Sequence, residues 1–521
     1  MPLFTAAERA FVEAIGGLAH ANPFTPQRIE FERQALAGEF VADKADWNVR
    51  YEGEHNHPNL ARLLARSETL LEQTCERIAR QRALPGRDEL ALYEDLLLTT
   101  IYHRHRTAFD ELIHAGSNKS SRTQSASLYK QLAESIERYV SFGDRRVPLS
   151  EATPHLFAGF FQIRRAFDNI FRLILGVSQP AVKLRASVWE SIFTHDMRRY
   201  RRVLYARMAD FTTLVTGPSG TGKELVAQAI GLSRYIPFDE VKGQFREDFA
   251  GTFYPVNLSA LSPTLIESEL FGHKRGSFTG AIADRQGWLE VCPPLGTVFL
   301  DEIGEVDVSI QVKLLRVLQS REFVRLGETA PQKFRGKIIA ATNRDLAEEM
   351  QAGRFRHDFY YRLCSDIVQL PSLAERICDN AEELSHLVAH LAQRAVGAES
   401  EELATEVVAW IEQNLGRSYA WPGNVRELEQ CLRNVLIRKA YRHQSPGHPT
   451  STDRHDALAG AILAGELTAD ELLRRYCTLV FQDTGSYEAT ARKLKLDRRT
   501  VRAKVDPAVA GRRAVPPADR T

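Results

Sequence analysis

From Leu60 onward the apolar positions fall at Leu63, Leu64, Leu70, Leu71, Cys75 and Ile78, the stripe of an amphipathic helix. The same spacing returns at Leu92, Leu96, Leu97 and Ile101, and again at Phe160, Ile163, Phe167, Ile170 and Ile174. Pro85-Gly86 and Pro154 punctuate the stripes, and the polar run from Gly116 to Ser121 is expected to be an exposed loop. Residues 1–185 thus predict a mainly helical N-terminal domain, with Phe160 and Phe167 in its core rather than in a ligand pocket.

After residue 185 the pattern changes. Short apolar runs appear, each closed by a polar motif: Thr213-Leu214-Val215-Thr216, Val298-Phe299-Leu300 and Ile338-Ile339-Ala340-Ala341. Strands alternating with helical stretches predict a parallel sheet covered by helices, with ligands at the carboxyl ends of the strands. The α/β domain is expected over 186–372 and a small helical domain over 373–442. Residues 443–465, rich in Ser, Pro, Gly and His, read as a linker. A last domain over 466–508 opens at Thr468-Ala469-Asp470-Glu471, a capping-box pattern.

Composition changes this picture little. A chain of 521 residues is too long for one core. A formal net charge of +1 excludes a generally basic nucleic-acid coat, though not a local basic segment. Six scattered cysteines with no CxxC pair fit a reducing cytosol. The start carries no basic-then-apolar signal pattern, and the greasiest stretch, Leu156 to Leu175, is broken by Arg164, Arg165, Asp168 and Arg172. A cytoplasmic protein without a membrane partner is expected.

The chemistry sits at the strand ends. Gly217-Pro218-Ser219-Gly220-Thr221-Gly222-Lys223 has the form of a phosphate-binding loop, whose glycines let backbone N–H groups converge on phosphate oxygens while the lysine reaches the outer phosphates. Glu224 stands where Ser or Thr usually follows, so a magnesium ion would depend on Asp301. Asp301-Glu302, ending an apolar strand, suit metal binding and polarisation of an attacking water. Between these motifs lies Gly276-Ser277-Phe278-Thr279-Gly280-Ala281, where two glycines leave the aromatic to project from a mobile tip.

Near the C-terminus, Gly485 to Arg513 holds nine Lys or Arg against three acids. Tyr487–Leu494 and Arg498–Val505 can form two helices, the second capped by Asp497. Val501 and Val505 would face inward and Arg498, Arg499, Thr500, Arg502 and Lys504 would be free for DNA: a helix-turn-helix. The pairs His55/His57 and His103/His105 read as surface histidines rather than a metal site.

A phosphate loop and an Asp-Glu strand with GSFTGA between them resemble the central AAA+ domain of the bacterial sigma-54-dependent transcription activators, whose loop usually reads GAFTGA. Glu224 fits that family too. The resemblance implies an ATPase using ATP and Mg2+, active as a homo-hexamer. Its loop, residues 276–281, would grip sigma-54 RNA polymerase holoenzyme, and a Fis-type module would bind upstream double-stranded DNA. It further implies that Asn257 holds Glu302 until the γ-phosphate is read, and that Thr342-Asn343 form a first sensor. Arg356 and Arg362 would be fingers acting on a neighbouring subunit, and Arg426, in Trp421-Pro422-Gly423-Asn424-Val425-Arg426, would face the nucleotide. Two departures stand out: Ala374 where the family has arginine, and a longer connection over Tyr235–Gly251. A different AAA+ motor would lack the loop and the DNA-binding tail. A repressor with a degenerate ATPase would have lost Lys223, Asp301 or Glu302.

Overall fold

A computed structural model describes residues 2–42, 58–116, 119–248, 252–260, 262–397, 400–416, 418–441, 462 and 467–505. His55 and His57, almost all of the expected linker and residues 506–508 lie outside them. The chain divides into two compact units, Met1–Lys439 and Ala440–Thr521.

The first unit begins with helices α1 (Ala6–His20), α2 (Pro26–Leu36), α3 (Pro58–Arg80), α4 (Arg87–Arg104), α5 (Arg106–Ala115) and α6 (Lys119–Val140). A small hairpin, β1 (Ser141–Phe142) and β2 (Arg145–Arg146), precedes α7 (Thr153–Leu173), α8 (Gln179–Phe193) and α9 (Met197–Arg202). The helix α1 starts at a capping box: Thr5 Oγ accepts from the Glu8 N–H (3.3 Å) and the Glu8 carboxylate from the Thr5 N–H (2.8 Å). The three stripes seen in the sequence are the buried faces of α3, α4 and α7. One expectation fails here. Lys119, Ser120 and Ser121 belong to α6, not to a loop, because Leu128, Leu132, Ile136 and Tyr139 recur at helical spacing further along and bury.

The α/β part contains β3 (Thr213–Thr216), α10 (Lys223–Gly231), β4 (Phe238–Asp239), β5 (Gln244–Phe245), β6 (Phe253–Asn257), β7 (Thr297–Asp301), β8 (Glu322–Phe323), β9 (Gln332–Lys333), β10 (Lys337–Thr342) and β11 (Asp366–Gln369). Five of these strands form one parallel sheet in the order β11-β3-β10-β7-β6. Alternate residues serve opposite faces. Leu214, Leu300, Ile338 and Ala340 face one core cluster. Val215, Phe299, Ile339 and Ala341 face another, which also contains Ala166 and Ile170 of α7, Val188 and Trp189 of α8, and Val226 and Ile230 of α10. The last helices of the N-terminal region therefore cover one face of the sheet, and α8 runs straight through residue 185.

The long connection after α10 is the antiparallel hairpin β4–β5. It docks on the N-terminal helices: the Phe238 ring lies 4.6 Å from Phe157 and 4.8 Å from Tyr129, and Phe245 stacks on Phe161 at 4.3 Å. Helices Leu373–Asp379, Glu382–Val396, Ser400–Asn414 and Asn424–Arg438 complete the unit as a lid. The lid is tied to the α7–α8 connection by buried Glu383, which accepts from the Val177 and Ser178 N–H groups (2.6 and 2.9 Å) and pairs with Arg376.

The second unit holds helices Ala469–Thr484, Tyr487–Leu494 and Arg498–Lys504 around Cys477, Ala491, Val501 and Val505. Lys495 turns between the last two helices with φ +53°.

Candidate functional site

The phosphate loop joins β3 to α10 and is bent by Gly217, Gly220 and Gly222, all at positive φ (148°, 77° and 96°). Thr221 Oγ donates to the Pro218 carbonyl (2.8 Å). Lys223 folds back to donate to the Gly217 and Pro218 carbonyls (3.1 and 3.4 Å). Burial lowers its ammonium pKa, while the nearby carboxylates of Glu302 and Asp301 oppose that shift. Ser219 borders the lid and Glu224 is exposed on α10.

On the neighbouring strands Asn257 of β6 stands in register with Asp301 of β7. Asp301 accepts from the Glu302 N–H (3.0 Å). Glu302 adopts φ +56°, a left-handed conformation costing a non-glycine residue roughly 1–2 kcal/mol and typical of functional sites. Its carboxylate accepts from the Asn343 N–H at 3.4 Å, whereas the Asn257 amide oxygen accepts from Ser259. The expected grip of Asn257 on Glu302 is thus absent here, because the Asn257 side chain is engaged by its own turn. Thr342 is buried at the end of β10 and accepts from the Arg344 N–H (3.1 Å).

The lid closes directly over the loop. The Arg426 N–H donates to the Gly220 carbonyl and its guanidinium to Ser219 Oγ, both at 3.3 Å. Asn424 was missed in the sequence, although it lies within the motif that flagged Arg426. At φ +52°, its side chain donates to the Ser219 carbonyl (2.9 Å) and accepts from the Leu373 N–H (2.8 Å), locking loop to lid. A Cβ on Gly220 would stand 2.3 Å from the Gly423 carbonyl oxygen, so only glycine fits.

Arg356 caps the helix His357–Leu363 and pairs with Asp358 (2.7 Å). Arg362, in the last turn, is exposed and its guanidinium has no partner among the described residues. The segment 276–281 forms a compact turn closed by Gly276 N–H to Ala281 C=O (2.8 Å) and Ala281 N–H to Phe278 C=O (3.0 Å). Phe278 does not project, contrary to expectation. Its ring lies against His273 at 5.0 Å, half-buried, because the apolar ring finds cover there, and Thr279 is the exposed residue at the tip. Buried Ser277 Oγ has no hydrogen-bond partner among the described residues.

In the second unit Arg498, Arg499 and Arg502 are exposed and Thr500 is half-buried. Lys504 is not free: it pairs with Asp470 of the helix Ala469–Thr484. The Asp497 cap on the Arg499 N–H is present (2.7 Å).

A phosphate loop on the strand beside the sheet's centre, an Asp-Glu pair at the end of β7 and a helical lid on the loop define an AAA+ nucleotide-binding fold. The comparisons with known proteins are more specific. Residues 193–369 match the model of the sigma-54 interaction domain, so this part of the chain is similar to the central domain of the sigma-54-dependent transcriptional activators. It is 46% identical over 228 residues to the Nif-specific regulatory protein of Enterobacter agglomerans, covering 44% of this chain and 40% of the relative. It is 43% identical over 304 residues to that of Herbaspirillum seropedicae, covering 58% and 49%. The matched stretch thus spans about half of these relatives or less. NtrX from Brucella abortus in complex with ATP aligns over 74% of this chain and 85% of its own at 21% identity and a TM-score of 0.39. Among the described residues, no helix is long and apolar enough to cross a membrane.

Proposed function

We propose that this chain is a cytoplasmic ATP-hydrolysing activator that binds upstream DNA and remodels sigma-54 RNA polymerase into open complexes. The observation that carries the reading is where the 276–281 turn leaves the fold. It lies on the connection that leaves β6 after Asn257, in register with Asp301, and returns to the start of β7 at Thr297, which gives a change at Asn257 a route along the chain to the turn.

The residues present fit ATP and Mg2+. The positive-φ glycines make an open cradle of N–H groups before α10, and Lys223 and Arg426 supply cations on opposite sides of it. Asp301 would hold Mg2+, which when bound neutralises phosphate charge. Glu302 would orient and polarise the attacking water, with Asn343 fixing its carboxylate. Asn257 would take hold of Glu302 only after leaving Ser259. Thr342 holds the Arg344 backbone that follows Asn343. Exposed Arg362, with Arg356, would reach the γ-phosphate of a neighbouring subunit in a homo-hexamer and stabilise transition-state charge. Arg498, Arg499 and Arg502 would meet DNA, with Thr500 at the edge and Lys504 holding the recognition helix in place.

The test separates coupling from catalysis. Thr279→Ala removes an exposed hydroxyl far in sequence from every group the hydrolysis uses. ATPase rate and DNA binding should persist while open-complex formation is lost. Wild-type levels of open complex from T279A would overturn the contact role of the turn.

A further inference from the structure

The N-terminal helices frame a half-open cavity of about 530 Å³ between α1–α5 and α7–α9. That is the size of a small-molecule site. Its walls are largely apolar: Ile15, Leu63, Leu98, Phe160, Phe167 and Trp189 all line it. Phe160 and Phe167, both on α7, pack in or against the buried core as expected and also border this space.

Four polar atoms on this lining are buried without a hydrogen-bond partner among the described residues: His20 Nδ1, Ser67 Oγ, Tyr102 Oη and His103 Nδ1. Buried polar groups are rarely left unmet, so four around one cavity point to an occupant that meets some of them. His103 also overturns the expectation of a surface histidine, since it faces this interior space.

Four arginines and four carboxylates line the cavity, but they are not all paired with one another. Asp110 is paired with Arg164 (2.7 Å), Asp95 with Arg198 (2.8 Å) and His20 (3.1 Å), and Asp168 with Arg172 (3.7 Å). Glu32 pairs with Arg28, and Arg201 with Glu151 (3.1 Å). Arg106 alone among the lining cations has no ion pair or hydrogen bond from its guanidinium among the described residues. It opens α5, whose N-terminus carries no side-chain cap and favours negative charge.

One unpaired guanidinium in a largely apolar chamber with isolated polar atoms suits an occupant with an apolar body and a single negative head. We propose that the cavity binds a small organic monocarboxylate, its carboxylate on Arg106, and that occupancy is transmitted to the nucleotide site through α7. That helix contributes Phe160, Ile163 and Phe167 to the cavity. From the same helix, Gln162 donates to the Ser233 carbonyl (2.9 Å) and Asn169 to Ser233 Oγ (3.1 Å), immediately beyond the phosphate-loop helix α10. Transmission rests on the ATPase reading; binding does not, and titration without nucleotide separates the two failures.

The experiment titrates the full-length protein with benzoate, phenylacetate and octanoate and with their primary amides, by calorimetry and thermal shift. At least one acid should bind at about 1 mM or below and exceed its amide by about tenfold. Arg106→Gln should cost that tenfold for the acid and leave the amide unchanged, and Ser67→Leu, which projects bulk into the chamber, should weaken both. The bound acid should change the ATPase rate of the wild type but not of R106Q. The proposal is overturned if no acid binds, if acid and amide bind equally, or if neither substitution weakens binding. An acid that binds through Arg106 without altering ATPase rate overturns the transmission through α7.

Discussion

Truncating Phe238 to alanine isolates the contribution of the β4–β5 hairpin. Its two strands share only two residue pairs, Phe238 with Phe245 and Asp239 with Gln244, so pairing alone cannot hold them. What holds the hairpin is its docking. The Phe238 ring lies within 5.3 Å of Phe157, Tyr129 and Phe245, Tyr129 donates to Glu240 (2.7 Å), and Ser125 donates to the Gly243 carbonyl (3.1 Å). A buried Phe→Ala change costs about 3–5 kcal/mol. The two peripheral hydrogen bonds, at about 1 kcal/mol each, cannot replace that loss. The local opening equilibrium should therefore rise by at least about two orders of magnitude. Hydrogen exchange of the segment 236–248, read by mass spectrometry on the full chain, measures it. Val241→Ala at the tip, where the side chain is 92% exposed, is the control and should change exchange by less than about twofold. If F238A left exchange within threefold of wild type, or V241A matched it, docking would not be what orders the hairpin.

Glu302→Gln should leave nucleotide bound and nearly stop hydrolysis, because the charge on the attacking water's partner is gone; a wild-type rate in a phosphate-release assay would refute this. Arg362→Ala subunits mixed with Lys223→Ala subunits should regain part of the ATPase activity that each lacks alone. Co-assembly without recovery would exclude a finger acting between subunits. Burial, with Arg106 and Arg164 nearby, pushes His103 down to about 3. The folded state thus refuses a proton that the unfolded chain accepts below about 6.5. The stability this gives is complete above that value and is lost as pH falls toward 3. Denaturation midpoints from pH 7.5 to 4.5 should fall more steeply for the wild type than for His103→Gln, and equal slopes would contradict the burial of a neutral imidazole.

Much of this was legible in the chain because short motifs with fixed backbone demands carry it. The glycines of 217–222, the Asp-Glu end of β7 and the three helical stripes are where the sequence places them. What could not be read depended on long-range packing. Nothing local in Phe160 or Phe167 distinguishes a filled core from a cavity wall, since both need an apolar helix face. Phe278 was expected outward from its flanking glycines, but its environment is set by His273, five residues away and brought close by the turn. Lys504 carries charge suited to DNA, yet Asp470, 34 residues earlier in sequence, claims it. The Ser-rich start of α6 looked like a loop because its helical support lies one to two turns further on.

The shared core beneath the sheet bears on how such proteins can be rebuilt. Sensor and motor are often imagined as cassettes joined by a cuttable string. Here Ala166, Ile170, Val188 and Trp189 are at once the end of the first region and the lining of the second. A cut at residue 185 would leave half of α8 attached and remove the cover that α7 gives the underside of the sheet, leaving a nucleotide-binding domain with an exposed apolar face. An exchange of input regions must carry α7 and α8 along with the nucleotide-binding domain, and whatever replaces α6 must again cover the β4–β5 hairpin that Tyr129 and Ser125 hold. The replacement inherits half of a ready-made interface, and any sequence drift in those two helices must satisfy both neighbours together.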